Sequence, residues 1–328
     1  MMASTAPRII VLGSVNVDLV VRGPCLPRPG ETVLGGEFFQ AAGGKGANQA
    51  VAAARAAREP VVLIAAVGDD DYGRQMLEGF RRENLLTSYI RTEPGQATGV
   101  ALIMVDERGE NLISVASGAN RHLTGADVDA VPDEVFRSAA VFLTNLESPL
   151  ATVERALRRA REAGLITILN PAPADAALGR GESASGDLGF GGLARWVDVL
   201  TPNEGEAALL AGRVALETVP AAADPAQDAR RLRTLGFAKC VITLGPAGCL
   251  VVDEHDFITV PGQPVRAIDA TAAGDAFNGA LAVALSEGRS LAEAARWANC
   301  AAAIAVTRRG AQPSLPTRAE IDAGEVRG

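Results

Sequence analysis

The chain has few of the residues from which metal centres, disulfide frameworks and nucleic-acid grooves are built. Two histidines and four cysteines among 328 residues offer little to a zinc or iron site, and Cys25, Cys240, Cys249 and Cys300 form no C-x-x-C pair. The four are read as buried, reduced thiols. His122 and His255 stand alone in polar turns and are read as surface histidines. Aromatic residues make up only 4% of the chain, so Trp196 and Trp297 are read as packing residues rather than stacking platforms. Positive charge is also scarce. A formal net charge of -8 argues against a nucleic-acid partner and means that any anionic ligand must be met by local positive charge. No apolar run approaches the roughly 20 residues of a membrane span. The run Ile9 to Leu12, ended by Gly13, is too short for a signal-peptide core. A soluble, cytoplasmic protein with no membrane partner is expected.

What the chain does have is apolar content. Hydrophobic residues make up 48%, enough for a sizeable core. Short β-branched runs at Ile9-Ile10-Val11, Val61 to Ile64, Val141-Phe142-Leu143, Ile166-Thr167-Ile168 and Cys240 to Leu244 alternate with alanine-rich segments of helical period. That alternation predicts an α/β fold with a central, mostly parallel sheet covered by helices on both faces. Ala47, Ala50, Val51 and Ala54 share one helical face, as do Phe277, Ala280, Leu281, Ala284 and Leu285. Residues 8–328 are read as one domain. Two stretches, 18–40 and 98–117, break the rhythm as extended segments joined by turns, and predict a small antiparallel sheet acting as a lid. The run 179–192, rich in glycine and serine, is read as a mobile surface loop.

The chemistry is expected at glycine-rich turns. Ala270 to Gly279 places small residues at a helix start with one carboxylate, Asp275, in the first turn, where free N–H groups and the helix dipole attract an anion. Taken alone, Asp275 is equally readable as a charge that stabilises its helix. Asn203-Glu204-Gly205-Glu206 and Thr243-Leu244-Gly245-Pro246-Ala247-Gly248 each follow a strand, at the edge of an open α/β sheet where ligands bind. Gly43-Gly44-Lys45-Gly46-Ala47-Asn48 opens a helix, but it is not a Walker A loop, and Gly13-Ser14-Val15-Asn16 is not a dinucleotide fingerprint.

GGKGANQAVAAARA from Gly43 and IDATAAGDAFNGAL from Ile268, with Gly68-Asp69-Asp70 and the Asn-x-x-Glu of Asn203 and Glu206, resemble the ribokinase (PfkB-type) family of carbohydrate kinases over residues 9–321. GSVNVD at Gly13, PRPGETV at Pro27, NLESP at Asn145, NPAPA at Asn170 and AVTRRGAQPSLP at Ala305 are similar to its ribose-phosphorylating members. The resemblance implies a ribokinase-like fold and ATP-dependent phosphorylation of D-ribose at its 5-hydroxyl, with magnesium and an activating potassium ion. It implies that Asn16, Asp18, Gly44, Lys45, Gly46, Ala47, Asn48 and Glu147 hold the sugar. Asp275 would be the base, and the backbone of Ala272, Ala273 and Gly274 an anion hole. Asn203 and Glu206 would serve the triphosphate and its magnesium, and Thr243, Leu244, Gly245, Pro246, Ala247, Gly248 and Asn299 would line the nucleotide site. Asp269, Thr271, Ala305, Arg308, Gly310 and Ser314 would coordinate potassium.

Many relatives read Asp-Thr-Thr-Gly-Ala-Gly-Asp where this chain has Asp269 to Asp275, so Ala272 must accept whatever backbone angles the turn demands. The lid edges, beside Val33, Leu34, Leu102 and Met104, predict a homodimer. Another kinase of the family, acting on deoxyribose, fructose or a nucleoside, is the alternative; a non-catalytic sugar-binding regulator is a remoter one.

Overall fold

A computed structural model describes residues 8–174, 190–212, 224–253 and 256–325. Most of the glycine-rich run 179–192 and His255 therefore lie outside the described residues. The strands are β1 (Ile9–Leu12), β2 (Asn16–Arg22), β3 (Glu37–Gly43), β4 (Val61–Gly68), β5 (Leu85–Leu86), β6 (Ile90–Glu93), β7 (Gly99–Val105), β8 (Asn111–Ala116), β9 (Val141–Asn145), β10 (Ile166–Asn170), β11 (Val199–Leu200), β12 (Cys240–Thr243), β13 (Gly248–Val252) and β14 (Phe257–Pro261). The longer helices are α1 (Lys45–Ala56), α2 (Asp71–Arg82), α3 (Leu150–Glu162), α4 (Glu204–Leu210), α5 (Pro225–Thr234), α6 (Ala273–Ser286), α7 (Leu291–Ala305) and α8 (Arg318–Glu325).

The large sheet runs β14-β13-β12-β11-β10-β9-β1-β4-β5, with β6 also on β4. It is parallel from β12 to β5 and turns antiparallel at β13 and β14. Its strands are apolar on both faces because both faces are covered. Ile9, Val11, Val61 and Leu63 enter one core with α1, α6 and α7, while Ile10, Leu12, Val62 and Ile64 enter the other with α3 and α5. The two helical faces predicted from spacing are buried in the first of these cores.

Helices α1 and α6 cross unusually close. A Cβ on Gly279 would come within 2.5 Å of the Ala52 Cβ and 2.7 Å of the Ala53 nitrogen, so only glycine permits this crossing. Asp275 lies one turn before Gly279 on the same face, and Gln49 one turn before Ala53 on the facing helix. The crossing thus brings the N-terminal turns of both helices together.

The small sheet runs β3-β2-β7-β8 and begins and ends within a few residues of the expected stretches. It differs in one respect: the central pair β2 and β7 is parallel, although both outer pairs are antiparallel. β2 and β7 are not joined by a hairpin: the chain turns back through β3 and then passes through α1, β4 and α2, and β7 enters the sheet on the other side of β2, running opposite to β3 and so in the direction of β2. The cysteines also correct their reading in part. All four are free, and Cys240, Cys249 and Cys300 are buried, but Cys25 is exposed in the loop after β2. Burial pushes the Cys240 and Cys249 thiols up to about 12, which leaves them unreactive.

Candidate functional site

The polar residues converge at the C-terminal ends of the parallel strands. β9 ends on Asn145 and β10 on Asn170, and Ser14, Thr201 and Asn203 follow β1 and β11. The first turns of α1 and α6 face the same edge, which is where an open α/β sheet offers free N–H groups and no crossing chain.

Asp275 is the centre of this arrangement. It is only 7% exposed, yet both of its oxygens are occupied: Asn48 Nδ2 donates to Oδ2 at 3.0 Å and Gln49 Nε2 to Oδ1 at 3.1 Å. Burial pushes its carboxyl above the ordinary value, against the opposing pull of the Lys45 ammonium and the two amide donors. A buried carboxylate with a raised affinity for protons is suited to act as a general base. Just before it, Ala272 adopts φ 59 and ψ 13, the left-handed region that favours glycine. The N–H of Ala273 closes a turn on the Ala270 carbonyl at 3.2 Å. The N–H of Gly274 meets no acceptor among the described residues, and a Cβ there would meet nothing within 4 Å. Open space beside a free N–H at a helix start is what an anion requires.

On one side of Asp275 lies a pocket of acids, amides and one lysine. Gly44, at φ 88, delivers the chain from β3 into α1, so that the Lys45 N–H donates to Glu147 Oε2 at 3.0 Å while Ser14 Oγ donates to the same oxygen. Gly46 N–H approaches Ser14 Oγ at 3.4 Å, and Ala47 N–H bonds the Ser14 carbonyl. Burial alone would lower the Lys45 ammonium, but the carboxylates of Asp275, Glu147 and Glu206 outweigh it and raise it. Asp18 is raised to about 6 by burial, with the charges of Glu147 and Asp275 adding to it. Asn120 holds Asn16 in place by donating to its Oδ1 at 2.8 Å. The buried Oδ1 of Asn48 has no hydrogen-bond partner among the described residues. An orphaned buried acceptor beside acids that are costly to bury is an unfinished site, and a polyhydroxylated ligand would complete it.

On the other side, Asn203 and Glu206 form a capping box at the start of α4: Asn203 Oδ1 accepts from the Glu206 N–H at 2.8 Å and Glu206 Oε2 from the Asn203 N–H at 2.9 Å. Glu206 Oε1 takes no part in this box. Burial raises this carboxyl, with the Asn203 N–H and Lys45 opposing. Asn203 bridges to Thr243 in a parallel pairing, which carries the wall into Leu244, Gly245, Pro246, Ala247 and Gly248. Asn299, on α7, is buried, and its Nδ2 is directed to the Val260 and Pro261 carbonyls at 3.4 and 3.3 Å. It therefore ties down the end of β14.

The expected potassium segments also meet. Asp269 Oδ1 accepts from the Thr271 N–H at 2.9 Å and hydroxyl at 2.6 Å, and Oδ2 from the Gly310 N–H at 2.9 Å. Burial opposes its charge, but the N–H groups of Gly310 and Thr271 hold the carboxyl below its ordinary value. The Ala305 carbonyl accepts from Arg308 N–H, and buried Ser314 donates its hydroxyl to the Ala311 carbonyl at 2.8 Å, leaving its oxygen lone pairs open.

Several residues of the site escaped the sequence reading: Ser14, Gln49, Asn120, Asn145, Asn170 and Asn278. The signal that could have pointed to them is amide side chains at strand ends and on apolar helix faces, where they must be hydrogen-bonded. Asp70, from the Gly-Asp-Asp run, caps α2 and binds the Thr98 N–H at 2.8 Å where the chain enters the small sheet. A depression of ≈ 630 Å³ at the opposite sheet edge, near Arg8, Arg58 and Arg318, has none of this convergence. Arg318 is there paired with Glu287.

Residues 6–318 match the family described as pfkB family carbohydrate kinase. Ribokinase of Haemophilus influenzae is 41% identical over 312 residues, covering 95% of this chain and 96% of that one. The ribokinase structure from Thermotoga maritima superposes with a TM-score of 0.83 at 32% identity, covering 98% and 100%. Arabidopsis thaliana ribokinase, solved with ribose and ATP, gives 0.81 at 29% identity, covering 98% and 99%.

Proposed function

The chain belongs to the pfkB family of carbohydrate kinases, and on that premise we propose that it transfers the γ-phosphoryl group of ATP to the 5-hydroxyl of D-ribose, yielding D-ribose 5-phosphate and ADP. The observation that carries this reading is the buried Asp275 carboxylate at the start of α6, set between a pocket of hydroxyl-binding groups and a free helix-start N–H.

Phosphoryl transfer asks a protein for alignment and charge stabilisation. Asn16, Asp18, Asn48 and Glu147 hold the sugar hydroxyls. The Gly44 to Asn48 turn, with Lys45, Gly46 and Ala47, fixes the ring against Ser14. Asp275 accepts the proton of the 5-hydroxyl at a carboxylate oxygen, and the nucleophilic oxygen attacks in line. The Gly274 N–H, together with the turn of Ala272 and Ala273, stabilises the equatorial oxygens of the transferring group. Thr243 to Gly248 and the Asn299 region form the nucleotide wall. Glu206 and Asn203 stand beside the triphosphate, where Glu206 Oε1 suits the hydrated magnesium that neutralises charge on the phosphate oxygens when bound.

For potassium the donor set fits: one carboxylate, a hydroxyl with open lone pairs, and carbonyls of Thr271, Ala305, Arg308 and Gly310. Ion binding there would tie the Asp269 loop to the Gly310 segment and steady the anion hole. The small sheet supports pairing of two copies. Its edges β3 and β8 are unpaired among the described residues, and Leu34, Phe38, Leu102 and Ile113 are exposed on or beside it. A coupled ADP-release assay over ribose, deoxyribose, fructose and nucleosides tests the function. Ribose as the best substrate supports it; preference for another sugar makes the chain a different kinase of the family, and no turnover of any of them overturns catalysis.

A further inference from the structure

A chain of buried amides runs through the floor of the site, and Gln49 stands at its centre. The direction of each amide is set from the backbone. Asn170 Nδ2 donates to the Thr201 carbonyl at 2.8 Å, so Asn170 presents its oxygen to Gln49, which donates to it at 3.0 Å. Asn145 Oδ1 accepts from the Glu147 N–H at 3.1 Å, so Asn145 presents its nitrogen, at 3.5 Å, to Gln49 Oε1. Gln49 is thereby left with one orientation and one remaining hydrogen, which it gives to Asp275 Oδ1 at 3.1 Å. The side chain is fully buried, and no rotation is open to it without orphaning a buried polar atom.

We propose that Gln49 is a positioning residue: its amide, locked by Asn145 and Asn170, fixes the plane of the Asp275 carboxylate and links it to the segment carrying Glu147. The proposal rests on the reading of Asp275 as the base. Asn48 alone could hold Oδ2, but one donor on one oxygen leaves the carboxylate free to rotate, whereas two donors from successive residues of α1 define its plane. The same donors favour the ionised form. Lys45 on α1 acts in the same sense, and Glu147 after β9, Asp18 on β2 and Glu206 on α4 act against it. Loss of Gln49 therefore shifts the balance toward the protonated acid.

The test uses two substitutions, Gln49→Met, which removes the donor at similar volume, and Gln49→Glu, which keeps the shape but adds a carboxyl against Asp275. In Gln49→Met, kcat should fall about 10- to 100-fold with KM for sugar and ATP changed far less, and the acidic limb of the kcat–pH profile should move to higher pH. Gln49→Glu should move that limb further, because two adjacent carboxyls share a proton, and should regain activity at alkaline pH. Thermal unfolding run alongside identifies a variant that fails to fold, and the other then decides. Folded variants that keep the wild-type acidic limb, or whose loss is entirely in KM, overturn the proposal. Wild-type enzyme inactive on every sugar of the panel would instead sink the functional reading, so the two failures are distinguishable.

Discussion

Asn120 and Asn16 form a fixed pair. Asn120 Oδ1 accepts from the Val15 N–H at 2.8 Å, so its nitrogen must point toward Asn16 Oδ1, also at 2.8 Å, and Asn16 is left with its own NH2 for a ligand. The pocket is thus built with a donor at Asn16 and acceptors at Asp18, Glu147 and the orphaned Asn48 Oδ1. A sugar lacking one hydroxyl leaves one of these buried groups unpaired, at about 1 to 3 kcal/mol. 2-Deoxyribose should therefore show a kcat/KM roughly 5- to 150-fold below that of ribose. Asn120→Ala, which frees Asn16, should narrow that gap. Equal values for the two sugars in wild type would mean the pocket does not read hydroxyls this way.

Asp275→Asn should preserve the fold, since an amide oxygen can still accept one of the two donors from α1, while kcat falls about 100- to 10,000-fold. In wild type, because burial raises this carboxyl, kcat should begin to fall on acidification at a pH above the usual aspartate range. Retention of more than half the turnover at saturating substrates would remove Asp275 from the role of base.

Asp18 should cost stability in the ligand-free protein. Its carboxyl is raised from 3.8 to about 6, so the folded state holds the proton more tightly than the unfolded chain. The penalty is fully present above about 6 and vanishes as the pH falls below 3.8. A displacement of that size corresponds to at most about 3 kcal/mol. Asp18→Asn should raise the urea midpoint at pH 8 and give little change at the acid end, while weakening sugar binding. A variant destabilised at pH 8 would show that the carboxylate is held by favourable contacts.

Potassium should accelerate wild-type turnover relative to sodium at equal ionic strength, with fixed ribose, ATP and magnesium. The difference should disappear in Asp269→Ala, whose carboxylate joins the Thr271 turn to Gly310. Identical wild-type rates in the two salts would rule the ion out.

Light scattering at micromolar concentration should give twice the mass of one chain, and Leu102→Glu, which puts a charge on the exposed face of β7, should shift it toward one. A wild-type mass of one chain would exclude pairing through the small sheets at that concentration.

Much of the fold was legible because buried parallel strands have to be apolar on both faces, and Val61 to Ile64 or Val141 to Leu143 have no other plausible home. The glycine turn at Gly44 was legible for a similar reason: at φ 88, with Asn16 N at 2.7 Å and the Ser14 carbonyl at 2.8 Å from any added Cβ, a side chain has no place there. The amides were not. Gln49 meets Asn170 across 121 positions and Asp275 across 226, and nothing local distinguishes it from any helical glutamine. The parallel pairing of β2 with β7 was hidden for the same cause, since strand direction depends on the chain between them. Resemblance places Asn299 in the nucleotide site, and only the geometry around β14 reveals what its nitrogen does.

The contact of Gly279 with Ala52 and Ala53 also limits how this enzyme can change. Any side chain at Gly279 would push α1 off α6 and pull the Gly44 to Asn48 turn away from Asp275. The reacting half of the site is therefore a rigid inheritance, with little room for gradual variation. New substrate preferences would have to arise in the small sheet, whose strand β2 carries Asn16 and Asp18 but takes no part in the helix crossing that holds Asp275.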